Sequence, residues 1–323
     1  MVLIGLLCPI SALAQKKVPL KFGPDKKFKI VQFTDTHIKA DEVESQVTIA
    51  TMNKVLDQEK PDFVVFTGDV VTGRPVGKGW KMVTEPVIAR KISFAVVFGN
   101  HDDEEDMTRA ELSKIVETFP NCSFVTKVED VYGYGNYVVP ITSSEGTNTA
   151  ALLYCMDSNA YSTLDSVEGY GWFKFDQIAW YRTQSKLLKE ANGKVLPALA
   201  FFHIPLPEYR NAYLNEKNTP IGLRLEKECS PDINSGMYSA MLESGDVMAT
   251  FVGHDHNNDY IGYLHGIALA YGRFTGSKNT YTELPNGARV IELTEGSRTF
   301  KTWIRTGTGE VYCTVEFPKS FIK

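Results

Sequence analysis

Five of the chain's six histidines sit in short polar segments, each preceded by an apolar run. In chain order the segments are Asp35-Thr36-His37, Gly68-Asp69, Gly99-Asn100-His101-Asp102, the lone His203 after Phe201-Phe202, and Gly253-His254-Asp255-His256. Imidazole, carboxylate and carboxamide groups together suit Zn, Fe or Mn rather than Ca or Mg, which favour oxygen-only shells. In an extended segment residues i and i+2 share a face, so Asp35 and His37 are expected to point the same way, as are His254 and His256. Two cations held close together repel unless an anion lies between them. Asp69, after a strand and a glycine, suits that bridge, and Asn100 and His203 complete the set with neutral donors.

Each segment alone says little. Asp-x-His is common, and Gly-Asp is often only a turn. Gly-Asn-His-Asp is unusual and Gly-His-x-His moderately specific. All five in this order, each at a strand end, form a motif set with a mechanism behind it.

The set resembles the signature of the calcineurin-like metallophosphoesterases: D-x-H, G-D, G-N-H-[DE], a lone H, and G-H-x-H. The resemblance runs from about Phe28 to the C-terminal strands. Residues 201–209, 253–260 and 271–276 resemble the branch related to purple acid phosphatases. It implies two metal ions per chain, Fe, Zn or Mn. Asp35, His37, Asp69 and His256 would hold one; Asp69, Asn100, His203 and His254 would hold the other. It also implies His101 as general acid or phosphate contact, steered by Asp102. One position departs from the purple enzymes, where a tyrosine three residues after the bridging Asp ligates iron. Here it is Thr72, so no tyrosinate-to-iron absorption band is expected.

The elements that must position these residues are readable from periodicity. Apolar runs at 29–33, 63–66, 94–98, 149–156, 196–202 and 247–252 read as strands, with a further strand over 131–139. Amphipathic stretches at 44–59, 80–90, 107–118, 176–191 and 235–242 read as helices, and short strands follow Tyr260, ending in 289–293, 299–305 and 311–317. Early β-α-β-α-β order with a strand-rich end predicts an α/β fold, a four-layer αββα sandwich of two mixed β-sheets flanked by helices, as one domain over 27–317. Open α/β sheets place ligands beyond the carboxyl ends of their strands, where all five segments lie.

Composition narrows the function. The 323 residues carry a net charge of −5 and no Lys/Arg-rich run, so no nucleic-acid-binding surface is evident. An anionic substrate must be held locally. Residues 2–14 are almost wholly apolar and end in Ala12-Leu13-Ala14. This reads as a signal peptide over residues 1–14 and an exported, periplasmic or extracellular protein. Its apolar run is shorter than the ~20 residues of a membrane span, so no membrane anchor is expected. Cys122, Cys155, Cys229 and Cys313 form no C-x-x-C pair, and Cys155 lies in an apolar run as a core thiol.

The expected activity is hydrolysis of a phosphomonoester, on a phosphorylated small molecule or a phosphoprotein. The alternatives are a phosphodiesterase acting on nucleotides or lipid headgroups, and a catalytically silent binding protein on the same fold. No G-x-S-x-G elbow or G-x-x-x-x-G-K-[ST] loop competes with these readings. Arg273 and Tyr209 are candidate substrate contacts, because both lie near ligand segments. The acidic run 103–106 reads as the cap of the following helix, His265 as a turn residue. Loops 73–80, 157–175 and 209–232 are expected around the crevice.

Overall fold

The computed structural model describes residues 19–322, and the signal segment expected over 1–14 lies outside them. The N-terminal part contains β1 (Leu20–Lys21), β2 (Lys27–Phe33), α1 (Glu44–Glu59), β3 (Phe63–Thr67), α2 (Val76–Ala89), β4 (Ser93–Val97) and α3 (Arg109–Glu117). The middle part contains β5 (Tyr137–Thr142), β6 (Thr149–Cys155), α4 (Phe175–Asn192), β7 (Ala198–Phe201), α5 (Glu208–Tyr213), α6 (Met237–Ser244) and β8 (Val247–Val252). The chain ends in β9 (Ile261–Leu264), β10 (Ile267–Tyr271), β11 (Gly287–Thr294), β12 (Phe300–Thr306) and β13 (Val311–Phe317).

These strands form two mixed sheets, a seven-stranded one ordered β1-β5-β6-β7-β8-β10-β9 and a six-stranded one ordered β13-β12-β11-β2-β3-β4. Strands β2, β3 and β4 run parallel, as do β6, β7, β8 and β10. Parallel strands are covered on both faces, which is why every residue of β3 and β4 is buried and both read as unbroken apolar runs. The period-2 alternation of β6 and β7 feeds two cores. Leu153, Cys155, Leu199 and Phe201 face the core between the sheets. Leu152, Tyr154, Ala198 and Ala200 face a second core under α4 and α6. Phe251 of β8 meets Phe300 of β12 edge-on at 5.9 Å, joining the two sheets. With α1 against β11 and α2 against β4 on the other side, the layers run αββα as the sequence implied. Burial pushes the Cys155 thiol up to about 12, as suits a packed core group.

Two boundaries differ for local reasons. The strand expected from 131 starts at Tyr137, because Gly133 and Gly135 adopt φ of 79° and 87° and turn the chain. Helix α2 begins at Val76 rather than at 80. Gly77 and Gly79 hide its first turn from a propensity reading, while the Asp106 carboxylate accepts from Val76 N at 3.0 Å. Neither β1 nor the short α5 had a sequence signal. His265 does sit in the β9–β10 turn, with φ 46°. Among the described residues no helix is long and apolar enough to cross a membrane.

The acidic run does not cap α3. Thr108 does, through a capping box: its side chain accepts from Glu111 N at 3.3 Å, and Glu111 accepts from Thr108 N at 3.0 Å. Asp103 instead pairs with Arg109, and Glu105 with Arg74. Thr108→Ala is expected to cost about 1 kcal/mol in urea denaturation, the usual worth of such a cap.

Candidate metal centre

Every predicted ligand emerges where a parallel strand ends: Asp35 and His37 after β2, Asp69 after β3, Asn100 after β4, His203 after β7, His254 and His256 after β8. The ends of both sheets meet here, and His254 N donates to both Asp35 carboxylate oxygens at 3.1 Å. Six of the seven residues gather into two buried trios. Asp35, His37 and His256 form one; Asp69, His203 and His254 form the other, with the donor atoms of each trio within 4.8 Å of one another. Asp69 Oδ2 is 3.1 Å from His203 Nε2 and 3.9 Å from His37 Nε2, so one oxygen faces both trios. Its Oδ1 accepts from His101 N at 2.9 Å.

The route to this convergence is not the extended alternation expected. Asp35, His37, Asp69 and His254 have φ of 51°, 43°, 49° and 78°, left-handed values that cost about 1–3 kcal/mol each in non-glycine residues. His254 and His256 fall in different trios, the division that the resemblance assigns to them. Two glycines are there for proximity. A Cβ on Gly99 would lie inside the Asp69 carboxylate, and one on Gly253 inside Thr34 Oγ1 and Asp35.

The donors fit metal ions. Thr67 O takes the His203 Nδ1 hydrogen at 2.7 Å, and Tyr281 O takes that of His256 at 2.8 Å. Both Nε2 lone pairs are thereby directed inward. His37 Nε2 and His256 Nε2 converge at 3.1 Å, and His203 Nε2 and His254 Nδ1 at 3.3 Å. Asn100 Nδ2 donates to Tyr161 at 3.3 Å, while its Oδ1 is buried with no hydrogen-bond partner among the described residues. A cation satisfies such an oxygen. Burial, with the neighbouring His256, holds the His37 imidazolium down to about 4; burial and His203 hold His254 down to about 3. Both rest neutral, the form that ligates. Burial also works against His203, but Asp69 overrides it and pushes the group up to about 9.

The surrounding residues correct three expectations. Asp102 does not steer His101. Its carboxylate is buried and accepts from Gly99 N and Val70 N at 2.8 Å and Val71 N at 3.2 Å, bracing the β3 and β4 ends. Glu104 holds His101 instead, at 2.5 Å from Nδ1. Arg273 is buried, its guanidinium bound to Asp259 and Pro285 O, and is not among the residues that line the crevice. Tyr209 is also buried, with its hydroxyl 2.8 Å from Thr250 Oγ1. The crevice, about 250 Å³, is lined by ligands together with His101, Tyr170, Cys229, Thr280 and Tyr281. Loops 157–175 and 209–232 supply Tyr170 and Cys229 as anticipated, whereas 73–80 is largely absorbed into α2. Thr280 and Tyr281 had no motif around them. The Tyr281 ring stacks on His256 at 4.3 Å and 18°.

Gly99→Ala is expected to lower bound metal from two ions per chain to one or none, read by elemental analysis, with the circular dichroism of the fold retained. The position after Asp69 that would need a tyrosine is Thr72, whose hydroxyl lies 3.3 Å from His37 Nδ1. Iron-loaded protein is therefore expected to lack a tyrosinate charge-transfer band in its visible spectrum.

Comparison with known proteins agrees with this geometry. The family model for calcineurin-like phosphoesterases matches residues 28–258. An Arabidopsis thaliana protein named "Probable inactive purple acid phosphatase 29" is 37% identical over 84% of this chain and 78% of its own length. The Saccharomyces cerevisiae "Phosphatase DCR2" is also 37% identical, over 78% of this chain and 47% of its own. A dimetal phosphatase from Danio rerio superposes with a TM-score of 0.63, covering 90% of this chain and 98% of that one at 13% identity, a likeness of fold alone. The chain belongs to the calcineurin-like phosphoesterase family, in the branch of the purple acid phosphatase-like proteins.

Proposed function

We propose that the protein hydrolyses phosphomonoesters by direct attack of water, with two metal ions and no covalent enzyme intermediate. The observation that carries this reading is the Asp69 carboxylate oxygen facing both donor trios, with His101 on the wall of the same crevice. Two ions bound there would supply Lewis-acid charge at the phosphoryl oxygens and an activated water. The chain's own residues supply the rest. Glu104 engages His101 Nδ1, which leaves Nε2 for the crevice and for the leaving oxygen. Tyr161 Oη donates to Glu104 Oε1 at 2.7 Å and accepts from Asn100, linking the proton donor to a ligand. The export reading belongs with this function, and N-terminal sequencing of protein recovered outside the cytoplasm is expected to begin at Gln15.

The silent reading rests on the word "inactive" in the names of three Arabidopsis relatives, 37%, 33% and 32% identical to this chain. Against it, this chain keeps all seven predicted ligands and His101.

The deciding experiment compares p-nitrophenyl phosphate with bis-p-nitrophenyl phosphate on protein reconstituted with Zn, Mn or Fe. Fast monoester turnover, abolished by chelator and lowered about 10²–10⁴-fold in kcat by His101→Gln, is the expected result. A preference for the diester makes the protein a phosphodiesterase. Metal-loaded protein that cleaves neither substrate is a binding protein on this fold.

A further inference from the structure

Beside the metal crevice lies a larger cavity of about 450 Å³ that the proposed hydrolysis leaves unused. Tyr132, Tyr134, Tyr161, Arg109, Lys127 and Lys174 are among its walls. Arg109 is already neutralised, with its guanidinium 2.6 Å from Asp157 and 3.0 Å from Asp103. Among the described residues neither lysine is in a salt bridge. Lys127 Nζ donates to the Val131 and Gly133 carbonyls and sits 5.1 Å from the centre of the Tyr134 ring. Lys174 Nζ lies over the Trp172 ring at 4.2 Å and the Tyr132 ring at 5.6 Å, with Thr163 Oγ1 at 3.5 Å. Asp176, the acid that bears on Lys174, has its carboxylate engaged by Tyr132 N and Gln177 N. Carbonyls and ring faces attract an ammonium but leave its charge in place.

Tyr161 connects this cavity to the metal centre. Its ring forms part of the cavity wall, while its hydroxyl reaches Asn100 and Glu104. It is held there by a hairpin-like loop in which it stacks on Tyr170 at 5.9 Å and 21°, and the Tyr170 ring meets His254 edge-on at 4.4 Å. An ester with its phosphoryl group among the ligands therefore has Tyr161 as a neighbour, and the lysines beyond it.

We propose that this cavity is a leaving-group subsite, and that it favours phosphomonoesters whose alcohol part carries a second anionic group, carboxylate or phosphate. The inference rests on the hydrolytic reading above. It also resolves an electrostatic difficulty. A chain of net charge −5 repels a multiply charged substrate at long range, so cations held outside salt bridges beside the site are the local remedy. The tyrosine rings offer apolar faces to the carbon part of the same molecule.

The test uses three matched substrates, phenyl phosphate, 4-carboxyphenyl phosphate and hydroquinone bisphosphate, with phosphate release measured on the metal-reconstituted protein. The wild type is expected to show lower KM for the two esters that carry a second anionic group. Lys174→Gln and Lys127→Gln are each expected to reduce that discrimination roughly threefold to fivefold, the usual scale for a partly exposed ionic contact. Whichever of carboxylate and phosphate gives the lower KM names the anion. One KM for all three substrates, or discrimination that survives both substitutions, overturns the subsite. Calorimetric titration with phenylphosphonate and 4-carboxyphenylphosphonate separates this from the hydrolytic reading, because neither is cleaved. Tighter binding of the carboxylated probe, lost in the lysine variants, upholds the subsite even where no ester is turned over. Equal binding removes it.

Discussion

One buried carboxylate organises the centre. Asp69 sits at the tip of β3, and its Oδ2 faces histidines that arrive from both sheets. A buried anion is costly unless it is matched, and the matching charge here must come from cations in the crevice or from protonated imidazole. His203, pushed up by Asp69 in spite of its own burial, shows that demand directly. Metal ions would meet it better, because they would also satisfy the Asn100 oxygen, which has no partner among the described residues. The fold therefore holds a site whose electrostatics make sense only when it is filled with positive charge.

Close approach has a second cost, in backbone conformation. Four ligands adopt left-handed φ, and the glycines at 99 and 253 stand where a side chain would collide with a ligand carboxylate. Such strain persists only where the surroundings over-determine it. The surroundings are the strand ends. Asp102 ties the β3 end to the β4 end through three backbone N–H groups, and Asp35 ties β2 to β8 through His254 N. Removing either carboxylate would release strain into the ligands rather than into solvent-facing loops.

This division explains what could be read from the sequence. The convergence of the candidate ligands was legible because each follows an apolar strand, and parallel strands bring their carboxyl ends to one edge. Residue type and place in the strand were enough. Directions of side chains off the strands were not legible. Tyr209 and Arg273 were chosen for closeness in sequence to ligands, yet α5 turns Tyr209 into the core and Asp259 draws Arg273 away from the crevice. Asp102 and Glu104 are both acids close to His101. The choice between them depends on which can reach the β3 backbone, and that follows from the path of the chain, not from its spacing. Tyr161, Tyr170 and Tyr281 come from loops whose conformations periodicity does not set.

The same division bears on whether a member of this branch turns over substrate. The ligands are woven into the fold through backbone hydrogen bonds and steric fit, so they can persist for the sake of metal binding and stability alone. His101 and Glu104 are different. Their side chains are 40% and 43% exposed, and neither lies in the hydrophobic core. A structural demand does not account for a histidine held by a carboxylate at the lip of a metal crevice, with Tyr161 joining that carboxylate to a ligand amide. Proton donation to a leaving group, as the proposed hydrolysis requires, would account for it. The seven candidate ligands therefore speak first for metal, and the His101–Glu104–Tyr161 arrangement speaks for the proposed chemistry.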